Sequence, residues 1–187
     1  MATAVTHAFV ALAMGKASFR RPMSMKFWLL SMGCAAGPDL DVGLHSYGVH
    51  YEDLWGHRGM THSLLFALVL AIIIVTWLFR GPDEAPWPTR RWWLLTLYFF
   101  LVTASHGFID AFTNGGLGIA FFAPFDDTRY FFPWQPIEVA PLGLTRMFTH
   151  EGWAVIRSEL LWVWLPVSVL GAMIILIRRA VCRRKTD

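Results

Sequence analysis

Charge is scarce in this chain of 187 residues: 16% are Asp, Glu, Lys or Arg, against roughly 25% in an ordinary soluble domain. With 56% hydrophobic residues and a mean hydropathy of +0.47, that scarcity argues against a water-soluble globular domain. Cysteine is scarcer still. Cys34 lies in an apolar run and Cys182 in a basic tail, so no disulfide framework and no cysteine-based metal pattern is expected. No basic residue precedes the first apolar stretch, which therefore does not read as a cleaved signal peptide. Internal repeats and low-complexity segments are also missing, and the length suits one membrane domain over 1–187.

The charges that exist collect between long apolar runs, which is the membrane pattern. Five runs are predicted to be transmembrane or membrane-embedded helices: 5–19, 26–38, 61–79, 92–112 and 160–177. The first two are short for a bilayer that needs about 20 apolar residues. The third, LLFALVLAIIIVTWLF, carries no charge, and Pro166 predicts a kink in the fifth. Twelve of the sixteen basic residues then fall on one side: Lys16, Arg20, Arg21, Lys26, Arg80, Arg90, Arg91, Arg178, Arg179, Arg183, Arg184 and Lys185. The positive-inside rule makes that side cytoplasmic, with the N-terminus outside and the C-terminus inside. The net charge of +3 thus reads as a set of topology signals, and nucleic acid is excluded as a partner. Many of the ten Trp lie near span ends; Trp77, Trp92 and Trp93 read as interfacial anchors. The stretch 113–159, rich in Pro, Gly and aromatics, is expected to fold over the outer face as an extracytoplasmic cap with short helices.

The orientation rests on Lys and Arg alone, yet it sends every histidine to the outer side. His7 opens the first span. Asp39 and Asp41 follow the second in GPDLD. His57 and His62 open the third in HRGMTHS, with Thr61 as the expected N-cap, and His106 and Asp110 end the fourth in SHGFIDAFTNGG. Residues four apart share a helix face, so His106 and Asp110 can hold one metal. Each element also has a plain reading: turn residues for Asp39 and Asp41, a packed polar pair for His106 and Asp110, an interfacial ring for His7. Ionisable groups within spans are expensive, however, and four such segments meeting at one face favour a metal site. Imidazole with carboxylate suits zinc, iron, manganese or nickel without choosing among them. His45, His50, Glu52, Asp53, Asp126, Asp127 and His150 read as solvated loop residues. Arg129, among aromatics, is placed near a substrate cleft.

Together, the early TH, PDLD, HRGMTHS, SHGFIDAFTNGG and the P-F segment resemble the YdjM-type membrane-bound metal-dependent hydrolases of bacteria and archaea, from Thr6 to at least Pro136. The resemblance implies an integral inner-membrane protein and carries the ligand set onto His7, Asp39, Asp41, His57, His62, His106 and Asp110. The ligand order is also similar, by spacing and helicity, to the zinc-dependent phospholipase C and P1 nuclease group, which raises phosphoester hydrolysis above other hydrolyses. The expected cofactor is a divalent metal, zinc first, in one to three ions. In the expected reaction a metal-activated water attacks a phosphoryl or carbonyl centre, Asp39 or Asp41 takes the proton, and Arg58 offsets the developing charge. A site at the outer leaflet favours a lipid or lipid-linked phosphoester. The alternative class is non-enzymatic: metal binding for transport or sensing, or stapling of helix ends.

Overall fold

The structure, a computed structural model, describes residues 1–81, 84–141 and 144–183. The readings of Cys182, Arg183, Arg184 and Lys185 fall outside the residues whose side chains are described. The chain is all-helical, with no strand among the described residues. Its helices are α1 (Ala4–Ser18), α2 (Met25–Ala36), α3 (Leu64–Leu78), α4 (Arg90–Asp110), α5 (His150–Glu159) and α6 (Leu165–Arg183). A π-helical turn, Leu160–Trp164, joins α5 to α6. Hydroxyl N-caps start the first four: Thr3, Ser24, Ser63 and Thr89 each accept from a backbone N–H three residues on. The third of these corrects the expectation for Thr61. Ser63 caps α3 because a short 3-10 turn, Met60–His62, intervenes and frees the Thr61 hydroxyl for another partner.

All five apolar runs are helical, and two helices are long and apolar enough to cross a membrane: α4, and the continuous run His150–Val181. The latter begins before the expected position 160, because the helix includes the last part of the 113–159 stretch. α2, at 12 residues, spans about 18 Å, short of a hydrocarbon core of about 30 Å. The π turn ends just before Pro166, where a proline removes one helical donor; Leu165 N–H bonds back five residues to Leu160.

α4 is the hub. It packs against α1, α2 and α3, and α6 lies outside against α1. Phe27, Leu95, Phe99 and Val102 are buried at the centre, and the Tyr98 hydroxyl lies 3.1 Å from both the Ala11 carbonyl and the Ser31 hydroxyl. α1 and α2 touch closely at Gly15, where a Cβ would stand 2.6 Å from Trp28. Trp77 and Trp93 are exposed. Trp92 instead is buried and donates to Thr76 Oγ1 at 3.1 Å, because its helix face turns toward α3. Only 6% of the apolar window in the final helix is buried, so most of its apolar side chains face outward.

The segment 113–141 has little helix. It is tied down by backbone bonds: Asn114 N to Ile137 O, Phe132 N to Ala111 O, and Leu64 N to Phe121 O, each 3.0 Å. The anchors are the C-terminal end of α4 and the N-terminal end of α3, so this segment lies at the end of the bundle that holds the histidines.

Candidate metal centre

Four segments deliver the site. The Gly37–Tyr47 3-10 stretch, started by Pro38, brings Asp39 and Asp41 under the ends of α3 and α4. The Met60–His62 turn presents His62, and the last turns of α4 present His106 and Asp110. α1 adds His7. His7, Asp41, His57, His62, His106 and Asp110 are all buried.

Hydrogen bonding assigns the imidazole protons. His106 Nδ1 lies 2.7 Å from the Ala35 carbonyl, which can only accept, so Nδ1 carries the proton. The Thr61 hydroxyl donates to Asp41 Oδ2 at 2.5 Å and so accepts from His62 Nδ1 at 3.0 Å. Both Nε2 atoms are therefore bare in the neutral rings, and they face each other at 3.0 Å. Two lone pairs that close repel unless a cation lies between them. Asp39 Oδ1 approaches His106 Nε2 to 3.2 Å and His62 Nε2 to 3.7 Å, and Asp110 Oδ2 lies 3.8 Å from His106 Nε2. Both carboxylate oxygens are buried without a hydrogen bond. A metal with bonds of about 2.0–2.2 Å sets tetrahedral ligand atoms about 3.3–3.6 Å apart. The observed separations bracket that spacing, and all four atoms lie within 4.8 Å of one another. The residues present fit a divalent metal.

Asp39 and Asp41 divide the work. Asp39 keeps an oxygen free. Asp41 has neither oxygen free: Oδ1 accepts from His57 Nδ1 at 2.6 Å and Oδ2 from Thr61. Asp41, His57 and His62 form a second set able to hold an ion, His62 being shared. Asp41 also sets the tautomer of His62, the arrangement by which carboxylates orient metal-bound imidazoles. Burial opposes ionisation of both acids. The imidazoles of His106 and His62 beside Asp39, and the hydrogen bonds of Asp41 with His57 and Thr61, with His62 close by, outweigh it and hold both carboxyls well below the ordinary carboxylate range. Because these folded-state values are depressed, the stabilisation is present above the unfolded value of about 3.9 and is lost as pH falls below it.

His7 stands beside the four-atom set. Its ring stacks on His106 at 3.8 Å between centroids, Nε2 is 3.4 Å from Asp110 Oδ1, and both nitrogens lack hydrogen bonds. Arg58 is fully buried, with φ +67°. Nη1 donates to the Gly115 and Leu117 carbonyls at 2.8 and 2.9 Å, Nη2 to Thr113 Oγ1 at 2.9 Å, and Nη2 is 3.8 Å from Asp110 Oδ2. Gly116 is required here: its φ is +81°, and a Cβ would sit 3.1 Å from Arg58 Nη1. Arg129 is a loop staple that donates to the carbonyls of His57, Tyr51 and Asp53 at 2.9–3.2 Å.

A cleft of ≈ 530 Å³ opens against this centre. Val42, Val49, Val139 and Ala140 give it apolar walls, and Asp41, His57 and Arg58 line its polar end. His45, expected to be merely solvated, lines it too. One contributor escaped sequence reading altogether. Glu159, buried where α5 meets the π turn, accepts from Thr3 N at 2.5 Å and from Thr3 Oγ1 and Thr6 Oγ1 at 2.7 Å each. It fixes the start of α1 and with it His7. An acid at the edge of a long apolar run was the available signal.

Residues 1–181 match the family model described as YdjM inner membrane protein. The chain is 39% identical over 179 residues to inner membrane protein YbcI of Escherichia coli (strain K12), across 93% of this chain and 97% of that relative. No solved structure matches it.

Proposed function

The chain belongs to the YdjM inner membrane protein family, and from that membrane setting we propose that it is a metal-dependent hydrolase acting on a phosphoester of a lipid or lipid-linked substrate. The observation that carries this reading is the pair of bare Nε2 atoms at 3.0 Å with buried, unbonded oxygens of Asp39 and Asp110 beside them. Such a cluster holds a cation in preference to water. Zinc suits the donors best, with iron, manganese and nickel sharing them. When bound, the metal supplies a water of lowered pKa and a counter-charge for the attacked group.

The chain's own residues do the rest. Ala35 and Thr61 hold the two imidazoles in the ligating tautomer. Asp41 holds His57 through Nδ1 where the cleft meets the centre, and that imidazole, with the carboxylate behind it, is the group placed to take a proton. Arg58 lines the same end. Its Nη groups are engaged by the chain, so its charge acts on a substrate at a distance, with only Nε unbonded. Apolar walls around a polar floor suit an amphiphile, and the volume lies within the usual range of about 300–1,000 Å³ for ligand sites.

The test is hydrolysis by the purified full chain in detergent. Phosphatidic acid, phosphatidylglycerol and a polyprenyl diphosphate would be offered beside water-soluble p-nitrophenyl phosphate. The expected result is release of product from a lipid ester that stops on chelation, returns with zinc and is absent in His106→Ala. Tight metal binding with no ester cleaved would replace this reading with metal binding or helix stapling.

We propose further that the site faces away from the cytoplasm. Lys16, Arg80, Arg90, Arg91 and Arg178 lie at the opposite helix ends from His7 and His106. Alkaline phosphatase fused in the loop before Arg90 should be inactive, and fused at the N-terminus active; the reverse pattern inverts the orientation.

A further inference from the structure

At the other end of the bundle from the metal centre, α1 and α6 close with a concentration of cations. A cleft of ≈ 410 Å³ lies between them, lined by Lys16, Phe19, Arg20, Ile175, Arg178 and Arg179. A second, of ≈ 360 Å³, adjoins it, shares Lys16, Phe19 and Arg20, and adds Arg21 and Trp28. Neither lining includes an acidic residue. Lys26 pairs with Glu84 and Arg58 with Asp110, whereas Lys16, Arg178 and Arg179 take part in no ion pair among the described residues. Two of the cations are held in place. Arg178 donates to the Ala17 carbonyl at the end of α1, and the Lys16 ammonium lies 5.2 Å over the Trp28 ring.

We infer that these paired clefts bind the headgroup of an anionic phospholipid, preferably one carrying two phosphodiesters. Charge selects phosphate. Two adjoining clefts that share cations suit two phosphates better than one. The surroundings select a lipid over a free anion: the turns of α6 before Arg178 expose Leu170, Met173, Ile174 and Ile177, an apolar flank along which acyl chains can lie. Basic residues that only set topology need neither a cleft nor that flank. The site is independent of the metal centre, and its occupation does not depend on hydrolysis.

Native mass spectrometry of the full chain in detergent tests this, with diphosphatidylglycerol, phosphatidylglycerol, phosphatidylethanolamine and inorganic pyrophosphate titrated separately. The expected order is diphosphatidylglycerol above phosphatidylglycerol above phosphatidylethanolamine, with pyrophosphate far weaker. A Lys16→Gln, Arg178→Gln, Arg179→Gln variant should lose roughly a hundredfold in diphosphatidylglycerol affinity, at the usual contribution per basic residue. An Arg80→Gln, Arg90→Gln, Arg91→Gln variant, which removes equal charge outside the clefts, should bind as the wild type does. Ile175→Trp fills the cleft with every charge intact and should also abolish the preference, so the test stands even where the triple variant fails to fold. Equal loss in both triple variants, or full binding by Ile175→Trp, overturns the site. Pyrophosphate binding as tightly as the lipid overturns the lipid as its ligand.

Discussion

Chelation-sensitive metal carried by the wild-type protein should vanish in His106→Ala. His106 supplies one of the two facing Nε2 atoms, and its other nitrogen is committed to Ala35, so no rotation of a neighbouring ring replaces it. Affinity should fall by more than about a hundredfold, beyond the roughly 10–100-fold that loss of an orienting partner costs. Asp41→Asn calibrates the series. An amide in place of Asp41 keeps the size but weakens acceptance from His57 and Thr61, and the same outer-partner range of about 10–100-fold is expected. Elemental analysis of purified protein and thermal unfolding with and without chelator measure both. At metal one hundred times above Kd the wild type should gain about 2.7 kcal/mol, and His106→Ala nothing. Wild type that unfolds at one temperature with and without zinc, and carries no metal, would sink the metal centre. The same centre should lose its metal on acidification, because ligation needs the neutral imidazole and protons compete with the metal for it.

Arg58→Leu is expected to give the largest loss of stability, about 3–5 kcal/mol. The guanidinium is fully buried and satisfies two carbonyls and the Thr113 hydroxyl, while standing 3.8 Å from Asp110. Leucine would leave the Gly115 and Leu117 carbonyls without donors and Asp110 without its cation. Arg58→Lys should fall between the two, since an ammonium keeps the charge but lacks the planar fork. Unfolding in detergent under saturating chelator isolates this effect from metal binding. An Arg58→Leu protein as stable as wild type under those conditions would show that the stretch after α4 holds itself, and would return Arg58 to a role in substrate charge alone.

The contrast between these two residues marks what was legible in the chain. His106 and Asp110 could be paired on paper because helical spacing is a local property: four residues make one turn whatever surrounds them. The apolar runs were equally legible, since hydropathy acts over a contiguous segment, and the collection of histidines at one end follows from where those runs stop. Arg58 could be seen as a cation beside a histidine, but not as a buried clamp on residues 113–117, because its acceptors are backbone carbonyls more than fifty positions away. For the same reason nothing local separates Asp39 from Asp41. The difference is that His57 and Thr61 reach one and leave an oxygen of the other bare. Thr61 and Ser63 are both competent N-caps by residue type, and a three-residue 3-10 turn decided between them. Hydropathy and residue spacing along the chain specified the apolar helical runs and the end of the bundle where the histidines collect. Tertiary packing alone decided which donor meets which acceptor, because buried polar atoms take partners by position in space and not by distance along the chain.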